Sequence, residues 1–254
     1  MSRSVQFGES DMNPYVIDRT VPTLIWGRED SQFHTRISLF NYYSLLFPDQ
    51  SVHVTAHVYL FGEDGQERGH VQRTLNPLQQ WQCDMREVSK EFQGSIGVQM
   101  VPDYLPPLKH DRFLGTLFFA TYWDAEGHCD FTHETDRMRF DQDSRVQYEP
   151  ATIPTSENLE LSIVVQNSFF GEDESNCDRS WDVEIRNAAG QQLLHKSLTL
   201  APRASVVIPV GELLPDYRRR LGGRAGSVHV RGRHINQPLT LVRHRSGDFN
   251  IHHF

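Results

Sequence analysis

A stretch near the middle of the chain, Thr121 to Glu134 (TYWDAEGHCDFTHE), is answered by an altered copy that closes it, Leu241 to Phe254 (LVRHRSGDFNIHHF). Laid without gaps, Tyr122 falls on Val242, Gly127 on Gly247, Phe131 on Ile251 and His133 on His253. Two related endings point to one structural unit used twice. Other signals recur in the same order: Asn167 answers Asn41, Gly190 answers Gly65, Leu200-Ala201-Pro202 answers Leu75-Asn76-Pro77, and Gly226-Ser227 answers Gly94-Ser95. The offsets drift by about twelve residues between the last of these pairs and the closing glycines. The Pro-rich stretch 101–112, VPDYLPPLKHDR, accounts for the drift as an insertion in the first copy.

The unit reads as β structure. Val52, Val54, Ala56, Val58 and Leu60 alternate with His53, Thr55, His57 and Tyr59, the period of a half-buried strand. Glu63 to Gln66 (EDGQ) then supplies the Asp-Gly turn of a hairpin. Each half holds five to seven such short strands, and no amphipathic segment is long enough for a crossover helix. The expected fold class is all-β: two tandem immunoglobulin-like antiparallel β-sandwich repeats from an internal duplication. The expected boundaries are an N-terminal tail or strap over 1–29, a first sandwich over 30–140, a linker over 141–158 and a second sandwich over 159–254. The alternative is a larger sandwich in which both repeats share one core. LLPDYRRRL, around Arg218, is expected to contain one helical turn.

Thirty-eight per cent hydrophobic residues suffice for packed cores. MSRSVQFGES has no apolar segment of the signal-peptide kind, and no later run reaches the ~20 apolar residues of a membrane span. The reading is cytoplasmic, with no membrane. Cys83, Cys129 and Cys177 lack CxxC spacing and form an odd set, so they are expected as small hydrophobes rather than a disulfide framework. Charge is uneven. Residues 201–254 hold nine arginines against Glu212, Asp216 and Asp248, hence +6, leaving −14 on the rest of a chain whose net charge is −8. A basic end on an acidic chain pairs most simply with the acidic part of the same or a second copy, and nucleic acid is the weaker reading.

Thirteen histidines raise the question of a metal. His53 and His57 share a strand face but lie ~13 Å apart at ~3.3 Å per residue, too far for one ion. The closing copies are better candidates. His133 and His253 are equivalent, and with His244 and His252 they form the candidate transition-metal ligands, although no HxH, HExxH or facial-triad spacing is present. The structural alternative is a pair of hydrogen-bonded histidines at strand ends. Asp141 and Asp143 form a DxD outside any βαβ context. The glycines of Leu221 to Ser227 lead into a strand rather than a helix, so they read as a turn. No GxSxG is present. The insertion carries an apolar tip with Tyr104, Leu105 and Leu108 as candidate binding residues, and Arg218, Arg219 and Arg220 form a second candidate surface. The function expected is a non-catalytic binding or scaffolding module that meets a protein partner, or another copy of itself, through the Pro-rich loop and the basic second repeat. The alternative is a metal-binding protein or metal-dependent enzyme using histidines of the two closing strands.

Overall fold

Apolar alternation becomes burial along the strand that carries it: Val54, Ala56, Val58 and Leu60 are fully buried while Thr55, His57 and Tyr59 face outward. The computed structural model describes residues 22–104, 116–133, 146–148, 150–171 and 174–253. The strands are β1 (Thr23–Glu29), β2 (Phe33–Phe40), β3 (Val54–Gly62), β4 (Glu67–Leu75), β5 (Gln80–Asp84), β6 (Phe92–Pro102), β7 (Phe118–Asp124) and β8 (Cys129–His133). They continue with β9 (Val146–Gln147), β10 (Ala151–Ile153), β11 (Leu159–Gln166), β12 (Ser180–Arg186), β13 (Gln192–Thr199), β14 (Ser205–Pro209), β15 (Gly226–Gly232), β16 (Leu239–His244) and β17 (Phe249–His253). Among the described residues no helix is long and apolar enough to cross a membrane. A single helical turn spans Tyr217–Arg220.

The strands form four antiparallel sheets. The first repeat has a front sheet β1-β6-β3-β4 and a back sheet β5-β2-β7-β8. The second has a front sheet β10-β15-β12-β13, with β9 also on β15, and a back sheet β14-β11-β16-β17. Replacing β1 to β8 by β10 to β17 in order turns one strand order into the other. Registers agree as well. Tyr59 faces Gly97 as Glu184 faces His229, Ser38 faces Phe119 as Val164 faces Leu239, and Phe119 faces His133 as Leu239 faces His253. Both front hairpins carry a register shift at the same place, Leu60/Phe61 and Ile185/Arg186. Two non-glycine residues in the left-handed region, Leu78 (φ 61°) and Arg203 (φ 62°), each lie three residues beyond the matching leucines. The matched asparagines are buried and do the same work: Asn41 donates its side-chain amide to the Leu75 carbonyl at 3.1 Å, and Asn167 to the Leu200 carbonyl at 3.0 Å.

The two repeats share a wall. Ile163 and Val165 of β11 point into the second core, whereas Val164, with Leu239, Leu241, Phe249 and Ile251, packs against the first. The centre of the second back sheet, the second half of β11 and the start of β16, is therefore buried on both faces, and the sheet's outer face closes one corner of the first sandwich. Phe249 lies 5.0 Å from Phe33 between ring centroids. Gln166 donates to the Ser95 hydroxyl at 2.9 Å, and Asn236 to the Leu24 carbonyl at 2.8 Å. Five large apolar side chains at about 1.5–3 kcal/mol each make this contact worth on the order of 10 kcal/mol before entropy is counted.

Three features differ from expectation. Thr23–Glu29 lies in the expected tail but is a core strand, with Leu24, Ile25 and Trp26 all buried, because the second repeat covers β1 from outside. Within the expected linker, β9 and β10 pair with β15. Pro150 and Pro154 have no backbone N–H to give the ladder, so this edge is broken into two short pieces. Finally, the halves are neither beads on a linker nor one merged core: each keeps its own sandwich, and one sheet serves both.

Candidate functional site

The expected histidine site lies on the seam where β8 meets β17. Strand alternation sends Cys129, Phe131 and His133 to the outer face of the first back sheet, and Phe249, Ile251 and His253 to the matching face of the second. Because that second face leans on the first sandwich, the rings of His133 and His253 come together, 4.7 Å between centroids. His253 Nε2 is 2.8 Å from the Thr132 hydroxyl, and the Ile251 N–H donates to Asp130 at 2.6 Å. Burial, reinforced by His133 and His252, pushes the His253 imidazole down to about 4, so it is neutral at neutral pH. At the hairpin tips the balance is opposite. His128 Nδ1 is 2.8 Å from Asp124 and Nε2 is 3.1 Å from Asp248. The hydrogen bond to Asp124 and the surrounding carboxylates raise His128, while the same bond lowers Asp124.

His133 and His253 thus converge, and His244 and His252 stand apart from them. His252 points to the other side of β17 and is exposed, and His244 sits at the far end of the hairpin, its backbone N–H on the Asp248 carbonyl. Among the described residues no three His, Cys, Asp or Glu side chains group to hold a metal. The pair offers two nitrogens where a closed zinc site takes four ligands. Its chemistry is that of the neutral His253 imidazole packed against the His133 ring, locking the seam.

Of the expected binding residues, Tyr104 is 40% exposed at the root of the insertion, while Leu105 and Leu108 lie outside the described residues, as do Asp141 and Asp143. The three arginines are engaged by their own chain. Arg218 donates to the Ser156 and Leu159 carbonyls and lies over the Tyr217 ring, Arg219 binds Asp216 at 2.8 Å, and Arg220 donates to the Leu193 carbonyl at 3.1 Å. Arg218 and Arg219 also line a cleft of about 610 Å³ with Thr155, Glu157 and Gly223. All three cysteines are free, and burial pushes the Cys83 thiol up to about 12.

Two surfaces escaped sequence reasoning. On the front sheet His57, Tyr59 and His70 form an aromatic row: Tyr59 stacks on His70 at 4.2 Å, and His57 Nδ1 is 3.1 Å from His70 Nε2. The signal was visible as alternating rings along β3, but the partner on β4 depends on register. On the back sheet Phe119 is 52% exposed and Phe131 63%, their rings 6.3 Å apart, with Leu117, just before β7, also exposed. Their equivalents Leu239 and Ile251 are each 1% exposed. The same positions are a buried contact in one repeat and an open apolar face in the other.

No protein-family model matches the chain, and no curated protein does. Among solved structures, it shows a slight likeness to the exo-beta-D-glucosaminidase CsxA, at 8% identity and a TM-score of 0.17 over 85% of this chain and 24% of that one. A likeness at that level leaves the function to be argued from the chain's own surfaces.

Proposed function

We propose that this chain is a non-catalytic binding or scaffolding module, built of two immunoglobulin-like repeats that arose by duplication, and that its partner-facing surface is the outer face of the first back sheet. The observation that carries the reading is the exposed pair Phe119 and Phe131. Large aromatic side chains contribute most when desolvated in a protein contact, and an open apolar face of this kind marks an interaction site. Tyr104 at the root of the insertion is a further aromatic available to a partner. A photo-crosslinking residue at position 119, compared with one at Gln72 on the front sheet, tests this in the full chain. Adducts of discrete mass at 119 and none at 72 are expected; equal or absent adducts reject the reading.

The convergence of His133 and His253 favours a second reading, transition-metal binding at the seam. It requires close to one zinc, iron or copper ion per chain after dialysis, lost in His253→Gln. Metal-free protein with an unaltered seam rejects it.

A further inference from the structure

The contact between the repeats is head-to-tail. The second repeat contributes the outer face of its back sheet: Val164, Leu239, Leu241, Phe249 and Ile251. The first contributes a corner: Phe33, Leu24, Ser95, the β8 edge and the β3–β4 turn, where a side chain on Gly65 would run into the Pro202 carbonyl. A two-fold contact would bury the same patch on both repeats, and this one does not: Leu239 and Ile251 are covered while Phe119 and Phe131 are open. One outer face and one corner are consequently left over. The free corner belongs to the second repeat. There Gly190, the equivalent of Gly65, has open space where a side chain would project, and His252, the equivalent of Thr132, is exposed.

We infer that a second copy of this chain seats its Phe119/Phe131 face on the Gly190/His252 corner, repeating between molecules the contact that joins the repeats within one. The proposal rests on the binding reading above and adds the partner's identity. The face keeps two apolar residues of the one already seated on such a corner within the chain, Phe119 and Phe131 for Leu239 and Ile251, with Ser38, Thr121 and Cys129 in place of Val164, Leu241 and Phe249, and the receiving corner is open at Gly190 and His252. A heterologous contact of this sort builds a ring if the rotation closes and a filament if it does not.

Sedimentation velocity and light scattering on the full chain over a range of concentrations test it. The mass is expected to climb past the dimer with concentration. Phe131→Asp removes the face and Gly190→Asp the corner, the latter with a residue type that tolerates the left-handed backbone held there. Each variant alone is expected to be monomeric, and their mixture to form a one-to-one dimer, because each retains the half that the other lacks. Phe131→Ser, with its thermal midpoint measured, guards against an effect of misfolding. A wild-type monomer at all concentrations overturns the proposal. So does a dimer that Gly190→Asp leaves intact, since that is a face-to-face contact. If position 119 crosslinks to another protein while the chain stays monomeric, the binding reading stands and self-assembly falls. An adduct within one chain, to residues 105–115 or 134–145, gives the face to the chain's own segment and also overturns self-assembly.

Discussion

Asn41 and Asn167 show what single residues contribute. Asn41 is fully buried and its amide serves the carbonyls of Val52, Leu75 and Asn76. Asn41→Ala leaves these buried acceptors short of a donor, so a loss of about 1–3 kcal/mol is expected in chemical denaturation, with a smaller loss for Asn167→Ala, whose amide serves Leu200 and the Cys177 thiol. Equal losses at the two sites would show that the extra carbonyls carry no weight. The seam histidines make a pH prediction with opposite signs. His253 is depressed to about 4, so folding resists its protonation: its contribution is unaffected above its ordinary value near 6.5 and stability falls as pH drops from there toward 4. His253→Gln should remove that part of the acid slope, on the order of 1 kcal/mol once partial exposure is discounted. His128 is raised by Asp124 and the neighbouring carboxylates, so its stabilisation is present below its ordinary value and lost as pH rises through the raised one. His128→Asn should therefore cost stability at mildly acidic pH and little in alkali. A titration of unfolding midpoints against pH reads both. The equivalence of the asparagines and of His133 with His253 was legible in the sequence; that the two rings touch was not, because it depends on how the repeats dock.

At the level of elements, strands with one wet face announced themselves and strands with none did not. β3 alternates cleanly, the pattern of a half-buried strand. β11, by contrast, runs Ile163-Val164-Val165 without alternation, the pattern of a strand buried on both faces, and that continuous run was the available sign of a shared sheet. β1 hid in the same way behind Leu24-Ile25-Trp26. The turns were more legible, since Gly65 and Gly190 sit at φ 79° and 77° in matching hairpins. Their environments differ, which gives a paired prediction. Gly190→Ala meets no neighbour and should cost only the ~1–2 kcal/mol of a left-handed side chain. Gly65→Ala adds a collision with the Pro202 carbonyl and should cost clearly more, with faster amide exchange along β14. Identical costs at the two glycines would mean that the turn of the first repeat does not bear on the second.

Over the whole molecule the question is why two repeats with the same strand order carry different surfaces. A sequence can place Phe119 opposite Leu239 and Phe131 opposite Ile251 in alignment, but all four are apolar, so composition cannot say which pair is covered. The docking decides it, and the docking uses one face only. Two consequences separate this arrangement from independent domains. Leu239→Asp places a charge in the shared wall with no partner and should cost upward of about 3 kcal/mol, whereas the equivalent Phe119→Asp, on an open face, should stay within about 0.5 kcal/mol. Because the wall belongs to both cores, the first sandwich loses Leu239, Leu241, Phe249 and Ile251 whenever the second unfolds. Unfolding of the intact chain should accordingly follow a single cooperative transition, the same by tryptophan fluorescence from Trp26 in the first core and Trp181 in the second. Fluorescence of a variant that keeps Trp181 alone, with Trp26, Trp81 and Trp123 replaced by Phe, compared with that of Trp181→Phe, checks this. Two midpoints that stay apart, with Leu239→Asp lowering only the one reported by Trp181, would show that the wall serves the second repeat alone.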